Sequence, residues 1–306
     1  MFTVITTAFN DNKNVRKYLD LICSQTLMPS EIIVVDGGSQ DNTCQLIREY
    51  ASNALVKIRC IQEGRLNIAE AFNIGIRETS TDYLIITCMG NSFPNTMCED
   101  LYNEITSSKS DAAYGLLFGV TQGKFSELYN QVFITKTGNA IMSNRCVIYS
   151  KDVFTKIGFF IEDFKYAGED AEFLMRFDKN KLKRSLVKKA TVFWETPDSF
   201  KAFKKQRKDY AIAELQYAGV KYCFFSSAQI QWYLVFLSVL LFPLSFVLTL
   251  VGLSFLLLKI LKYAYYYKSL KAALFREYSV LLKNYYYFRY FKYCTPKYSV
   301  RHLYDE

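Results

Sequence analysis

Histidine is nearly absent from this chain of 306 residues, and the only one, His302, lies four residues from the end. Triads that use a histidine base and histidine-rich metal centres are thereby nearly excluded as its chemical machinery. The eight cysteines, at positions 23, 44, 60, 88, 98, 146, 223 and 294, form no Cys-x-x-Cys pair. That scatter offers neither a zinc site nor a disulfide framework, and it suits a reducing compartment. Charge is missing between Tyr222 and Leu258, and Trp232 to Leu258 is almost continuously apolar. Such a run belongs in lipid. A basic leader, an export core and a cleavage site are missing from the N-terminus, where strand-like Phe2-Thr3-Val4-Ile5 starts at once. The expectation is an N-terminal part that stays in the cytoplasm.

The charges that are present divide the chain. Residues 1–200 hold 22 Lys+Arg against 24 Asp+Glu, whereas 201–306 hold 16 against 5. A domain of about 200 residues with a basic, aromatic appendage follows, placed at 1–210 and 211–306. Basic residues interleaved with tyrosines suit nucleic acid or an anionic membrane surface. The adjoining lipid-like segment, 228–258, favours the membrane.

Within the first domain, apolar runs alternate with helical periodicity. Phe2 to Ala8, Ile32 to Val35, Leu55 to Ile61 and Tyr83 to Thr87 read as strands; Asn14 to Gln25, Thr43 to Ser52, Asn67 to Arg77, Pro94 to Ser107 and Asp170 to Asn180 read as helices. This alternation predicts an α/β fold with a mainly parallel sheet covered on both faces. Residues 112–150, broken by Gly115, Gly119, Gly123 and Gly138, read as hairpins and loops, with a strand at Cys146 to Tyr149. The strand ending at Asp36 runs into Gly37-Gly38-Ser39, then Asp41 and Thr43. An acid followed by bare backbone amides at the carboxyl edge of such a sheet marks a nucleotide site. The same acid also suits a helix or turn cap.

Val4-Ile5-Thr6-Thr7-Ala8-Phe9-Asn10, Asp36-Gly37-Gly38-Ser39-Gln40-Asp41, Ala71-Phe72-Asn73-Ile74-Gly75 and Gly168-Glu169-Asp170 with Phe173 and Arg176 stand in an order that resembles the family 2 glycosyltransferases of GT-A fold. The resemblance covers residues 2–210. It implies a nucleotide pocket lined by Thr7, Ala8, Asn10 and Gly38, with Asp36 accepting a hydrogen bond from the base. It further implies that Asp170, beside Glu169, deprotonates an acceptor hydroxyl, with inversion at the sugar carbon. The bland role for that acid pair is to favour the positive end of a helix dipole. Arg65 is the cation nearest the nucleotide region, placed either on phosphate or base or in solvent, and Asn73 is read as bracing a loop.

The chain departs from the family at the metal. Members end the strand that corresponds to Tyr83 to Thr87 with Asp-x-Asp or Asp-Asp, which holds Mg²⁺ or Mn²⁺; here stands Cys88-Met89-Gly90-Asn91. Only Asn91 offers a side-chain oxygen, and it is neutral. Either Asn91 holds metal weakly with the substrate's phosphates, or basic side chains such as Arg65 replace it, or the protein is a silent homologue that binds without catalysis. A further departure is Gln206-Arg207-Lys208-Asp209-Tyr210, where relatives carry Gln-x-x-Arg-aromatic; Asp209 at the Arg position argues against a processive synthase. Lys204, Lys205 and Arg207, part of five cations between Lys201 and Lys208, read as a surface facing headgroups or a lipid-linked phosphate.

Residues 228–258 are long enough for one tilted spanning helix. Pro243 at the midpoint and cations at both ends, Lys221 before and Lys259 and Lys262 after, favour a hairpin turning near Phe242-Pro243, with arms of about 15 residues entering from the cytoplasmic side. The combined expectation is a membrane-attached transferase moving one sugar from a nucleotide donor, UDP-linked in most of the family, to a lipid-linked or glycolipid acceptor.

Overall fold

The structure is a computed structural model and describes residues 1–164, 166–218, 223, 227–240 and 246–294. Its residues gather into two compact units, Met1–Val120 with Lys136–Glu195, and Thr121–Thr135 with Thr196–Glu306.

The first unit contains β1 (Phe2–Ala8), α1 (Asn12–Cys23), β2 (Glu31–Asp36), α2 (Thr43–Ala51), β3 (Lys57–Gln62), α3 (Ile68–Glu78), β4 (Tyr83–Thr87), α4 (Met97–Ser108) and β5 (Ala112–Val120). The second unit takes α5 (Lys124–Phe133), and the chain then returns through β6 (Cys146–Ser150), α6 (Asp152–Ile157), α7 (Glu169–Lys179) and β7 (Arg184–Glu195). The seven strands form one sheet in the order β3-β2-β1-β4-β6-β5-β7. Pairing is parallel throughout except at β6, which runs antiparallel to both β4 and β5. The expected α/β fold with a mainly parallel sheet is therefore the observed one.

Strand side chains alternate, so each face of the sheet buries its own helices. Val4, Ile32, Val34 and Ile85 pack with Tyr18 and Leu19 of α1 and Leu101 of α4. Ile5, Leu84 and Ile86 pack with Phe72 of α3 and Phe173 and Phe177 of α7. Between β1 and its neighbours β2 and β4 the strand order reverses, and at that point the loops of an open sheet diverge into a crevice. The carboxyl ends of β1, β2, β3 and β4 all open there, joined by the amino end of β6.

Residues 112–150 differ from expectation. They carry the nine-residue strand β5 and the helix α5. Two of the glycines that suggested broken hairpins serve close approach: a Cβ would lie 2.1 Å from the Ala190 carbonyl at Gly115, where β5 and β7 shift register, and 2.7 Å from the Phe118 ring at Gly138, whereas Gly123 faces open space.

In the second unit, α8 (Phe200–Tyr217), α9 (Ser227–Leu240), α10 (Phe246–Tyr267) and α11 (Leu270–Arg289) join α5. Phe125 and Phe133 of α5 meet Phe203 of α8 and Phe275 of α11, with ring centroids 4.7 to 6.2 Å apart. Helices α9 and α10 run antiparallel. Thr249 Oγ1 donates to the Ser238 carbonyl at 2.7 Å, and a Cβ on Gly252 would sit 2.0 Å from Ser238 Oγ, so glycine is what admits the crossing. At the other end Trp232 Nε1 and Lys259 Nζ converge on the buried Glu277 of α11, at 3.2 and 2.9 Å.

Among the described residues one helix segment, Thr249–Tyr267, is long and apolar enough to cross a membrane, with mean hydropathy 1.2 and 6% of it buried. Helix α9, of 14 residues, reaches only about 21 Å at about 1.5 Å per residue. The arms are thus unequal, because α10 continues through Lys259 to Tyr267. The expected turn at Phe242-Pro243, as well as Lys221 and His302, lies outside the described residues.

Candidate active site

The loop after β2 is built by its own acid. Asp36 is wholly buried; its Oδ2 accepts from the amides of Gly38 and Ser39 at 3.1 and 2.9 Å, and its Oδ1 accepts from Ser39 Oγ. The carboxylate therefore caps the Gly-Gly-Ser turn. Asn10, held at φ 49°, locks β1 to that turn: its amide donates to Ser39 Oγ and its Oδ1 accepts from the Gln40 amide, both at 2.8 Å. Gly38 has φ +89°, and a Cβ there would approach the Gly64 carbonyl at 3.2 Å. Only glycine combines that dihedral with that closeness.

This folding leaves a cavity of about 550 Å³ between the loops after β1, β2 and β3. Such a volume suits a small-molecule ligand. Of the expected nucleotide residues, Gly38 and Arg65 line it. Ala8 is buried and uses its carbonyl to accept from the Gly37 amide at 2.9 Å, Thr7 is half-buried, and neither lines the cavity. Sequence reasoning missed Phe9, Gln40, Gln62 and Glu63, which do line it. Phe9 is 56% exposed, an aromatic face beside the cavity of the sort on which a base can stack. An aromatic left just beyond the apolar run of β1 was the available signal.

Glu169 and Asp170 open α7, after Gly168 at φ +117°. They lie at the same sheet edge, by way of β4 and β6: the Cys88 thiol donates to the Asn144 carbonyl at 3.3 Å, and Asn144 Nδ2 donates to Glu169 Oε1 at 3.4 Å. Glu169 is buried and Asp170 half-buried. Desolvation, reinforced by the charge of Asp170, pushes Glu169 up to about 7. Burial likewise raises Asp170, against the attraction of Arg145. A carboxyl group raised in this manner is suited to proton transfer near neutrality.

The raised value has a stability consequence. Between about pH 4.5, the ordinary glutamate value, and about pH 7, the folded chain holds a proton on Glu169 that the unfolded chain has released. More protons bound in the native state mean that stability falls as pH rises through this window. Glu169→Gln is expected to flatten that slope, as read by thermal unfolding below and above it; an unchanged slope would assign the burial effect to another group.

Two buried groups hold the approach to α7. Asn73 Nδ2 donates to the Phe160 carbonyl and to Glu162 Oε1, both at 2.8 Å, and its Oδ1 accepts from the Phe160 amide at 3.0 Å. That is the bracing role read from its motif. Arg176 forms a two-pronged pair with the fully buried Glu172, at 2.6 and 2.8 Å, and donates to the carbonyls of Ile157 and Phe159.

At the end of β4 the donors do not suit a hard divalent cation. The Cys88 thiol is pushed up to about 12 by burial, Met89 is a thioether, and Gly90 at φ +80° gives only backbone. Asn91 is buried with its Nδ2 lacking a hydrogen-bond partner, so it contributes at most one neutral oxygen. Among the described residues no cluster of three His, Cys, Asp or Glu could hold a metal ion. Mg²⁺ or Mn²⁺ needs more oxygen ligands than these residues provide.

In the second unit, Lys204 and Lys205 are exposed on α8. Arg207 is half-buried, its guanidinium over the rings of Phe133 and Phe203 at 4.6 and 5.3 Å. Its charge is partly sequestered by aromatic faces.

Known proteins agree with this architecture. Poly(ribitol-phosphate) beta-N-acetylglucosaminyltransferase TarP of Staphylococcus aureus is 25% identical over 191 residues, covering 58% of this chain and 57% of TarP. Glycosyltransferase GlyA of Streptococcus pneumoniae is 30% identical over 125 residues, covering 40% of this chain and 18% of GlyA. The chain thus spans less than two thirds of the length of these curated relatives. Among solved structures, a mannosyltransferase from Pyrobaculum calidifontis in complex with GDP-Man and Mn²⁺ superposes with TM-score 0.55 at 18% identity, covering 70% of this chain and 62% of that one. S. aureus TarS in complex with UDP-GlcNAc gives 0.53 at 20%, covering 70% and 66%. Both carry the same fold. The Glycosyl transferase family group 2 model matches residues 119–282. The Glycosyl transferase family 2 model matches residues 3–177, from β1 through the acid pair of α7. With more than half of the chain matched in one stretch that contains both the nucleotide-type loop and the acid pair, this protein belongs to glycosyl transferase family 2.

Proposed function

We propose that the protein moves one sugar from a nucleotide-diphosphate donor, UDP-linked, to a lipid-carried acceptor at the cytoplasmic face of a membrane. Residues 1–210 serve catalysis and 211–306 attachment. The observation that carries the reading is the placement of Asp170 and the Phe9–Gly38–Arg65 cavity along one edge of the sheet. The nucleotide occupies the cavity, with Asp36 and Asn10 holding its walls and Arg65 within reach of base or phosphate. Asp170 takes the proton of the acceptor hydroxyl, whose oxygen attacks the anomeric carbon from the face opposite the diphosphate. The bond from that carbon to the diphosphate oxygen breaks, the nucleoside diphosphate leaves, and the configuration inverts.

The acceptor class is supported by the apolar Thr249–Tyr267 segment and by exposed Lys204 and Lys205. Holding the enzyme at the surface turns the search for a lipid acceptor into a two-dimensional one. A silent binding homologue is favoured by one observation, the donor set at Cys88–Asn91. The test incubates full-length protein with UDP- and GDP-linked sugars, lipid-linked or soluble acceptors, and chelator or Mn²⁺. Transfer to lipid-linked acceptors is expected. Transfer to soluble acceptors alone would overturn the acceptor class, and no transfer or donor hydrolysis with any sugar would favour the silent homologue.

A further inference from the structure

A donor diphosphate gains negative charge on its leaving oxygen as the sugar departs, and an enzyme must meet it with fixed positive charge. The end of β4 supplies no acids to recruit that charge as a metal. Resting on the nucleotide-sugar reading above, we infer that Arg145 binds the donor diphosphate directly and stands in for the divalent cation.

The placement follows from the sheet. Strand β6 runs antiparallel to β4, and their ladder ends with Thr87 opposite Cys146. Arg145 stands just before that last pair, in a turn closed by the Cys146 amide on the Ser143 carbonyl at 3.2 Å, and Cys88, which opens the acid-less stretch, stands just after it. The Cys88 contact to the Asn144 carbonyl, at 3.3 Å, pins the two chain segments together. On its other side the stretch is pinned to β7, through paired hydrogen bonds between Ser92 and Phe193 at 2.9 and 2.8 Å. Trp194, the next residue, lies under the Arg145 guanidinium at 4.8 Å, and Ser143 Oγ accepts from Nη1 at 3.5 Å. A guanidinium keeps its charge at every physiological pH and can give two parallel N–H bonds to a phosphate. The charge of Arg145 favours the ionised forms of Cys88, Asp170 and Glu169, against the burial that raises all three.

Arg65 follows β3 and folds back against Gly38 in the loop after β2, and β1 and β4 lie between β2 and β6 in the sheet. The two therefore serve different parts of a long ligand. The cavity after β1 to β3 takes the nucleoside, and the diphosphate extends toward β4 and β6. When the bond from the anomeric carbon to the diphosphate breaks, the electron pair goes to the phosphate oxygen. Arg145 stabilises it without giving up a proton, while Asp170 keeps the proton of the acceptor.

The experiment titrates the full chain in detergent with UDP, GDP, uridine and guanosine, each with chelator or with Mn²⁺, for the natural sequence, Arg145→Ala and Arg145→Lys. The expected result is that one diphosphate binds more tightly than its nucleoside and does so equally with chelator. Arg145→Ala is expected to weaken that diphosphate by about tenfold to a hundredfold while the nucleoside affinity, which also reports the fold, is unchanged. Arg145→Lys should retain part of the affinity. Loss of diphosphate binding in chelator with recovery in Mn²⁺, or full diphosphate affinity in either Arg145 variant, overturns the assignment and leaves the nucleotide-sugar reading standing. If neither diphosphate binds the natural sequence, that reading falls and takes this one with it. Should Arg145→Ala lose nucleoside binding as well, the chelator comparison and Arg145→Lys decide.

Discussion

Asp170→Asn is expected to lower sugar transfer by about 10²–10⁴-fold, the usual contribution of a general base, while leaving nucleotide affinity unchanged. The separation follows from the geometry: Asp170 opens α7, whereas the cavity after β1 to β3 is lined by other residues. The asparagine preserves shape and removes the proton acceptor. Transfer by the natural sequence should fall on acidification at a pH above the ordinary aspartate value of 3.8, because burial raises the group that must be ionised to act. Glu169 and Asp170 interact, so the profile reports the pair. Initial rates with a saturating donor, together with nucleotide titration, check both halves. A variant that retains its rate would remove Asp170 from catalysis; one that loses nucleotide binding would place it in the donor site.

The largest stability effect is expected at Arg176. Arg176→Leu leaves Glu172 at 0% exposure without its counter-charge, and breaking a buried pair from one side costs about 3–5 kcal/mol. The Ile157 and Phe159 carbonyls lose their donor in the same step, so the loop entering the acid pair loosens. Desolvation already raises Glu172, opposed by Arg176, and removal of the arginine raises it further. The penalty is therefore fullest where Glu172 would be ionised and shrinks as pH falls and the carboxyl takes a proton. Thermal unfolding of Arg176→Leu and of Glu172→Leu/Arg176→Leu measures it. The double variant should recover part of the loss, since it buries no uncompensated charge; equal loss in both would mean that the carbonyl contacts, not the ion pair, carry the stability.

A loop held by Asn73 and Arg176 sets the entry to the acid pair on the first unit, while the apolar α10 belongs to the second. Removal of the C-terminal helices would also bare Phe125 and Phe133 of α5, which pack on Phe203 and Phe275, so point substitutions in the full chain are the informative tests of catalysis.

Several features were legible in the residues alone because they are local. Apolar runs bounded by turn residues gave the strands of the parallel half, and Tyr83–Thr87 matches β4 end to end. The Asp36 turn and the Gly168-Glu169-Asp170 helix start are short-range patterns of capping and glycine geometry. The glycines at 115, 119, 123 and 138 misled, because one residue type serves both turns and close packing. Nothing in the local pattern of Lys124–Phe133 announced that it would join the C-terminal helices through Phe125 and Phe133.

What the sequence by itself determined was the chemistry on offer: a single histidine at position 302, an acid pair at a helix start, a glycine-rich turn after a strand, and a long segment without charge. Composition and periodicity fix such things because they act within a few residues of chain. Only tertiary structure decided how the pieces are used. Asp36 turned inward to hold its own turn, Phe9 came to the cavity, Arg207 settled over the Phe133 ring, and Arg145 over the Trp194 ring. The Cys88–Asn144 contact joins residues 56 positions apart, and pairings of that length are set by sheet register and burial, which no short stretch of sequence contains.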